Sequence, residues 1–323
     1  MLLNIFLVAL TLFVLAYFIY GKFLDRKFEI NKNNPTPSHT DYDGVDRVPT
    51  RPAILLGHHF SSIAGAGPIV GPIIAAIAFG WLPALLWIVI GSIFVGGVHD
   101  YSSLMASIRH RARSVGEIAK LYMTPLSYKL FLVFVWLALV YILVVFVDLT
   151  SAGFTSNPEV ATSSILYMFL AVLFGLSVYR LGFSIKLSSL IFVPLVFAGI
   201  FIGQIFPVNN SILPPLMGEV SKTWNLILIA YCFIASITPV WILLQPRDYL
   251  SSFLLYGSVL GALAGILFGG FEIKYPFFTG WSSNELGAMF PILFITVACG
   301  ACSGFHCMVA SGTTSKQLDK ESH

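Results

Sequence analysis

Long apolar runs separated by short polar stretches dominate the chain. The first, Leu2–Tyr20, matches the roughly 20 residues needed to cross a bilayer core. Eight more follow at approximately 60–80, 82–107, 130–148, 163–180, 187–206, 224–245, 250–270 and 288–310, so nine crossings are predicted. No Lys or Arg precedes the first run and no small-residue cleavage motif follows it, which argues against a cleaved signal peptide. The polar stretch 21–56 is too short for a domain and reads as a loop on the membrane surface. Residues 57–315 then read as one membrane core, and 316–323 as a tail.

Composition supports this pattern. The chain is 57% hydrophobic and 10% charged, with a mean hydropathy of +0.86, whereas a soluble domain carries roughly 25% charged residues. An all-α polytopic membrane protein is therefore predicted. Charge placement orients it. With nine crossings and the N-terminus outside, all but Lys222 and Lys274 of the 18 Lys and Arg fall on the cytoplasmic side, as basic flanks do. The C-terminus is then cytoplasmic. Among these cytoplasmic stretches, 108–129 (Arg109-His110-Arg111-Ala112-Arg113) is strongly basic. It reads first as a retention signal and contact for anionic lipid, and second as a seat for an anionic regulator. The four cysteines lie in apolar runs and read as small core residues rather than disulfides.

One stretch departs from a plain membrane anchor. Gly57-His58-His59-Phe60-Ser61-Ser62-Ile63-Ala64-Gly65-Ala66-Gly67-Pro68-Ile69-Val70-Gly71-Pro72 opens on two imidazoles and is dense in Gly and Pro. Both residues weaken helix. Non-helical backbone at membrane depth is tolerated only where protein or a wet cavity surrounds it. A broken helix forming part of a central binding site is predicted. Ser61, Ser62, Gly65, Gly67 and Gly71 are candidate contacts there. His58 and His59 are candidates for carboxylate contact or proton relay, the alternative being a hydrogen-bonded interfacial pair. Adjacent His residues diverge on a helix and a metal site needs three or four ligands, so no metal is expected.

Three further places carry candidate chemistry. His99-Asp100 closes the run 82–107 and could couple transport to a proton, or merely cap structure at the interface. Asp148 is expected at a helix end. In 224–245, Ser236 and Thr238 precede Pro239, suggesting a second broken helix antiparallel to the first; an ordinary proline kink is the alternative. The last run carries Gly300 and Gly304, which would permit close helix approach. It also carries Ser303, Ser311, Thr313 and Thr314, candidate oxygen ligands for a polar substrate or cation. Cys299-x-x-Cys302 with His306 and Cys307 in an apolar helix is a weak zinc signal. No nucleophile–base spacing suggests an enzyme, and no cofactor motif or nucleic-acid-binding pattern is present.

Together, Gly44-Val45-Asp46 with Val48-Pro49-Thr50, the GHHFSSIAGAGPIVGP run at 57–72, GGVHDY at 96–101 and SGFHCMVASGTTSKQ at 303–317 resemble the carbon starvation protein CstA family over the chain from about residue 30. The resemblance implies an inner-membrane uptake transporter for pyruvate or short peptides during nutrient limitation, coupled to protons or another cation. It also implies a five-plus-five inverted repeat, here partial and preceded by one extra helix. Family members continue through further membrane helices, so missing C-terminal helices or a homo-oligomer would complete the core. A non-transporting subunit or sensor is the alternative reading.

Overall fold

The computed structural model describes residues 1–44, 46–50, 52–209, 213–238 and 242–323. Helices α1 (Leu2–Lys27) and the short α2 (Pro37–Thr40) open the chain. The expected broken segment is two helices, α3 (Pro52–Ile63) and α4 (Ala66–Phe79), bent by 45°. Then come α5 (Trp81–Arg109), α6 (Val115–Tyr122), α7 (Pro125–Ser156), α8 (Pro158–Tyr179) and α9 (Ile185–Ile205). They are followed by α10 (Val220–Ile237) and α11 (Leu244–Phe268). A two-stranded antiparallel ribbon, β1 (Ser282–Ser283) and β2 (Gly287–Ala288), pairs Ser282 with Ala288. Helix α12 (Met289–Ala301) leads into α13 (304–317), which contains a wider π-type turn over Ala310–Thr314. Among the described residues, eight helical spans are long and apolar enough to cross a membrane, with α12 and α13 counted together; α3 and α4, taken as one bent span, make nine.

Two expected boundaries move. Helix α7 runs through Asp148 to Ser156, 32 residues in all. The Thr150 hydroxyl bonds back to the Phe146 carbonyl (2.7 Å) without interrupting it. The stop comes instead at Asn157, which precedes Pro158 and cannot easily stay helical. Asp148 is thus an exposed residue within a helix. The run 224–245 is described on either side of residues 239–241. Helix α10 ends at Ile237, and Thr238, ahead of Pro239, is extended (φ −80°, ψ 137°). From Leu244 the chain already belongs to α11. Pro239, Val240 and Trp241, on which the second-break expectation rested, lie outside the described residues.

The chain divides into two compact units, residues 1–128 with 259–323, and 129–258. In the first, α4, α5 and α12 share a core of Ala75, Phe79, Ala84, Leu293 and Val297. Trp87 Nε1–H donates to the Phe294 carbonyl (3.3 Å), and the two rings meet edge to face at 4.7 Å. Glycine makes this packing close. A Cβ on Gly71 would fall 2.2 Å from the Thr296 carbonyl oxygen, and one on Gly96 would fall 1.9 Å from that of Ala301. A second cluster of Leu55, Met105, Ile108 and Leu318 gathers the loop-side ends of α3, α5 and the C-terminal segment. There Thr36 and Ser38 hydroxyls bond the Asp319 and Leu318 carbonyls (3.0 and 2.8 Å). The Glu321 carboxylate accepts from Asn31 N and Asn34 Nδ2.

In the second unit, α8 and α9 pack along their length around Ala171, Phe174, Val196 and Leu250. The Ser177 and Ser188 hydroxyls pair at 3.1 Å. Helix α7 leaves large side chains such as Phe134 (67%) and Trp136 (64%) exposed, the surface that lipid tails cover in a bilayer.

Candidate functional site

Helices α3–α4 and α12–α13 pass each other antiparallel, and both are interrupted. The first break follows from residues 64–71. Ser61 and Ser62 hydroxyls donate to the His58 carbonyl (3.1 and 2.8 Å). Gly65 then leaves helical geometry (φ −88°, ψ −165°) and caps α4 with no side-chain acceptor. Pro68 carries no N–H, so the Ala66 and Gly67 amides stand at the positive end of α4 without intrahelical partners. The second break falls at Cys302 (φ −156°, ψ 57°) and Ser303, whose hydroxyl caps α13 by accepting from Phe305 N (3.2 Å).

Contacts on either side bring the breaks level. Gly71 meets Thr296, and a Cβ on Gly300 would touch Pro68 Cα at 3.3 Å. Beyond the breaks, His59 Nδ1 lies 2.7 Å from Thr314 Oγ1. The interrupted helix that lies against α3–α4 in this unit is α12–α13, which the sequence reading did not single out as broken; the expected break in 224–245 centres on Pro239, outside the described residues.

One turn past each close contact is an ionisable cluster. Asp100, on α5 beyond Gly96, shares its carboxylate between two imidazoles. Its Oδ1 lies 2.7 Å from His99 Nδ1 and its Oδ2 lies 3.0 Å from His306 Nδ1. His306 is buried on α13, while Asp100 and His99 keep about a third of their side chains accessible. An ionised carboxylate only accepts, so it takes the Nδ1–H of each ring. Nε2 is then the atom of each imidazole left to gain or release a proton. Sequence reasoning named His99 and Asp100 but considered His306 only as a weak zinc ligand. Its carboxylate partner stands 206 positions earlier in the chain, and no local spacing shows that.

The other candidates fall as follows. His59 and Thr314 pair directly. His58 sits one position away, and its ring makes no hydrogen bond among the described residues. Gly65 has open space around it and so does Gly304, which therefore does not serve the close helix approach expected of it. Ser311 and Thr313 hydroxyls bond their own helix at the Cys307 and Val309 carbonyls (2.8 and 2.9 Å), as Ser and Thr commonly do. Both stand in the π-type turn, a feature frequent at functional sites. Ser236 and Thr238 close α10 in the second unit, where they bond the Phe233 and Ile234 carbonyls (both 2.7 Å). No group of three or more His, Cys, Asp or Glu placed to hold a metal ion occurs among the described residues.

A polytopic helical membrane protein with two facing helix interruptions and a part-buried carboxylate–imidazole cluster is the class these features define. The model of the family described as carbon starvation protein CstA matches residues 1–323, and the chain belongs to that family. It is similar to the peptide transporter CstA of Campylobacter jejuni (36% identity, 98% of this chain and 46% of the relative). The peptide transporter CstA of Bacillus subtilis is 37% identical over 98% of this chain and 53% of its own. The pyruvate/proton symporter BtsT of Escherichia coli K12 is 34% identical over 97% of this chain and 44% of its own. The chain thus spans about half the length of these relatives. No solved structure matches it.

Proposed function

We propose that this chain forms part of a secondary transporter that imports pyruvate or short peptides together with a proton. The observation that carries the reading is the Asp100 carboxylate shared by His99 and His306 beside two facing helix breaks. A lone charge at membrane depth is costly unless paired or hydrated. Here the carboxylate is partnered by two imidazoles, and in this reading the coupled proton is carried by that cluster. The amides of Ala66 and Gly67, at the N-terminal end of α4, suit a substrate carboxylate. His59, held by Thr314, stands on the other side of the same break. Relatives named for peptide and for pyruvate/proton transport support the reading. In this proposal the protein lies in the cell's inner membrane with its N-terminus outside, and the core follows a five-plus-five inverted repeat completed by further helices or a second copy.

The test is uptake of labelled pyruvate and of a dipeptide into proteoliposomes, with and without an imposed proton gradient. Equivalent substitutions in the full-length Bacillus subtilis relative are measured in parallel. Removing one partner of a charged hydrogen bond costs roughly 1.5–3 kcal/mol, a factor of about 10 to 100. Asp100→Asn and His306→Gln should each reduce gradient-driven uptake by that factor. Wild-type uptake indifferent to the gradient would overturn the coupling, and absence of uptake for both substrates would overturn the transport reading.

A further inference from the structure

Where the 28–50 loop, the turn after α5 and α13 meet, a cavity of about 420 Å³ opens, within the roughly 300–1,000 Å³ of small-molecule sites. Among the described residues its lining carries Arg47, Arg111, Arg113 and Lys316 against Asp41 and Glu117. This imbalance draws anions into a cleft.

The cations are not equally engaged. Arg111 is committed to Asp41 through two guanidinium nitrogens. Arg47 reaches Asp43 only at 3.7 Å, and Lys316 reaches Asp46 at 3.3 Å. Such partly exposed pairs hold weakly and give way to a better partner. Arg113 forms no ion pair among the described residues. Arg47 Nε is enclosed by the protein and has no acceptor among the described residues. A buried N–H without an acceptor is rare in folded proteins because its desolvation goes uncompensated.

We infer that this cavity is a binding site for a phosphate-bearing anion, held by the guanidinium groups of Arg47 and Arg113 with Lys316 as a point charge. Planar guanidinium forks match phosphate oxygens in pairs, and a phosphate monoester, which carries about −1.5 to −2, competes with the loosely held carboxylate partners of Arg47 and Lys316. Ser311 and Gly312 form one wall and belong to the π-type turn that ends at Thr314, the partner of His59. A bound phosphate therefore braces the turn that positions that imidazole. The site does not depend on the transport reading, because it is defined by binding alone.

The test uses the purified chain in nanodiscs of phosphatidylcholine, in buffer free of phosphate. Inorganic phosphate is titrated against chloride at matched ionic strength, and thermal stability is followed. In a second arm phosphatidic acid replaces part of the phosphatidylcholine. The site predicts saturable stabilisation by phosphate or by phosphatidic acid, and none by chloride. Action by free phosphate assigns a soluble ligand; action by phosphatidic acid alone assigns a lipid headgroup. Arg113→Gln should weaken binding about tenfold, the worth of one charge-assisted hydrogen bond, and Arg113→Lys, which keeps charge but loses the fork, by less. The inference falls if neither probe gives a saturable shift, or if both variants bind as the wild type does. Should a variant fail to fold, the wild-type titration still decides.

Discussion

At the scale of single residues, the proposed function rests on a few hydrogen bonds between distant positions. His59 depends on Thr314, so Thr314→Val should raise the KM for uptake about fivefold, the roughly 1 kcal/mol of one neutral hydrogen bond, while Thr314→Ser retains wild-type behaviour. A KM unchanged in both would remove His59 from the substrate path. Glu117 carries a pH signature instead. Its carboxylate accepts from Ser114 N (2.9 Å), and the Ser114 hydroxyl accepts from Glu117 N (3.3 Å), a reciprocal cap on α6. Donation from the Ser114 backbone and hydroxyl holds the Glu117 carboxyl below its ordinary value of 4.5. Because the folded state prefers the ionised form, the cap's contribution is complete above that ordinary value and fades as pH falls through the lowered one. The melting-temperature advantage of wild type over Glu117→Gln should therefore shrink on acidification below it; an advantage that grows there would contradict the assignment. Asp41, held low first by its hydrogen bonds from Arg111, follows the same sign.

At the scale of elements, the interruption after His58-His59 was legible because Gly and Pro crowd it, and both act through local backbone geometry. The interruption at Cys302–Ser303 was not, since no proline marks it and its extended backbone depends on packing against α4 and α5. The expectation at Pro239 falls on residues outside the described ones; the flanking helices end at Ile237 and begin at Leu244. Close glycine contacts were legible only as spacing. Gly300 meets Pro68 while Gly304 meets nothing within 4 Å, a distinction that lives in the neighbouring helix. Gly96→Val would drive a side chain into the Ala301 carbonyl and should destabilise by about 3 kcal/mol or more, whereas Gly304→Ala should stay within about 0.5 kcal/mol of wild type. Thermal unfolding of the two variants in the same detergent checks the contrast, and equal effects would mean α5 and α12 are not in the described contact.

For the whole molecule, the apolar period was enough to read a helical membrane protein; the nine expected crossings compare with eight candidate spans among the described residues, or nine if α3 and α4 form one bent span. That period holds no information on which distant side chains meet. That is why His306 escaped notice while His99-Asp100, adjacent in the chain, did not. The proposed orientation makes its own prediction. In a background lacking the native cysteines, Lys120→Cys should be shielded from an impermeant thiol reagent added outside intact cells, and Lys222→Cys should react; the opposite pattern would invert the topology. The central claim, that the Asp100 cluster carries the coupled proton, is tested most directly by following internal pH in proteoliposomes while substrate is added without any imposed gradient. Wild type should acidify the lumen as substrate enters, and Asp100→Asn should admit substrate down its own gradient with no pH change. Acidification by Asp100→Asn at the wild-type ratio of protons to substrate would contradict the account.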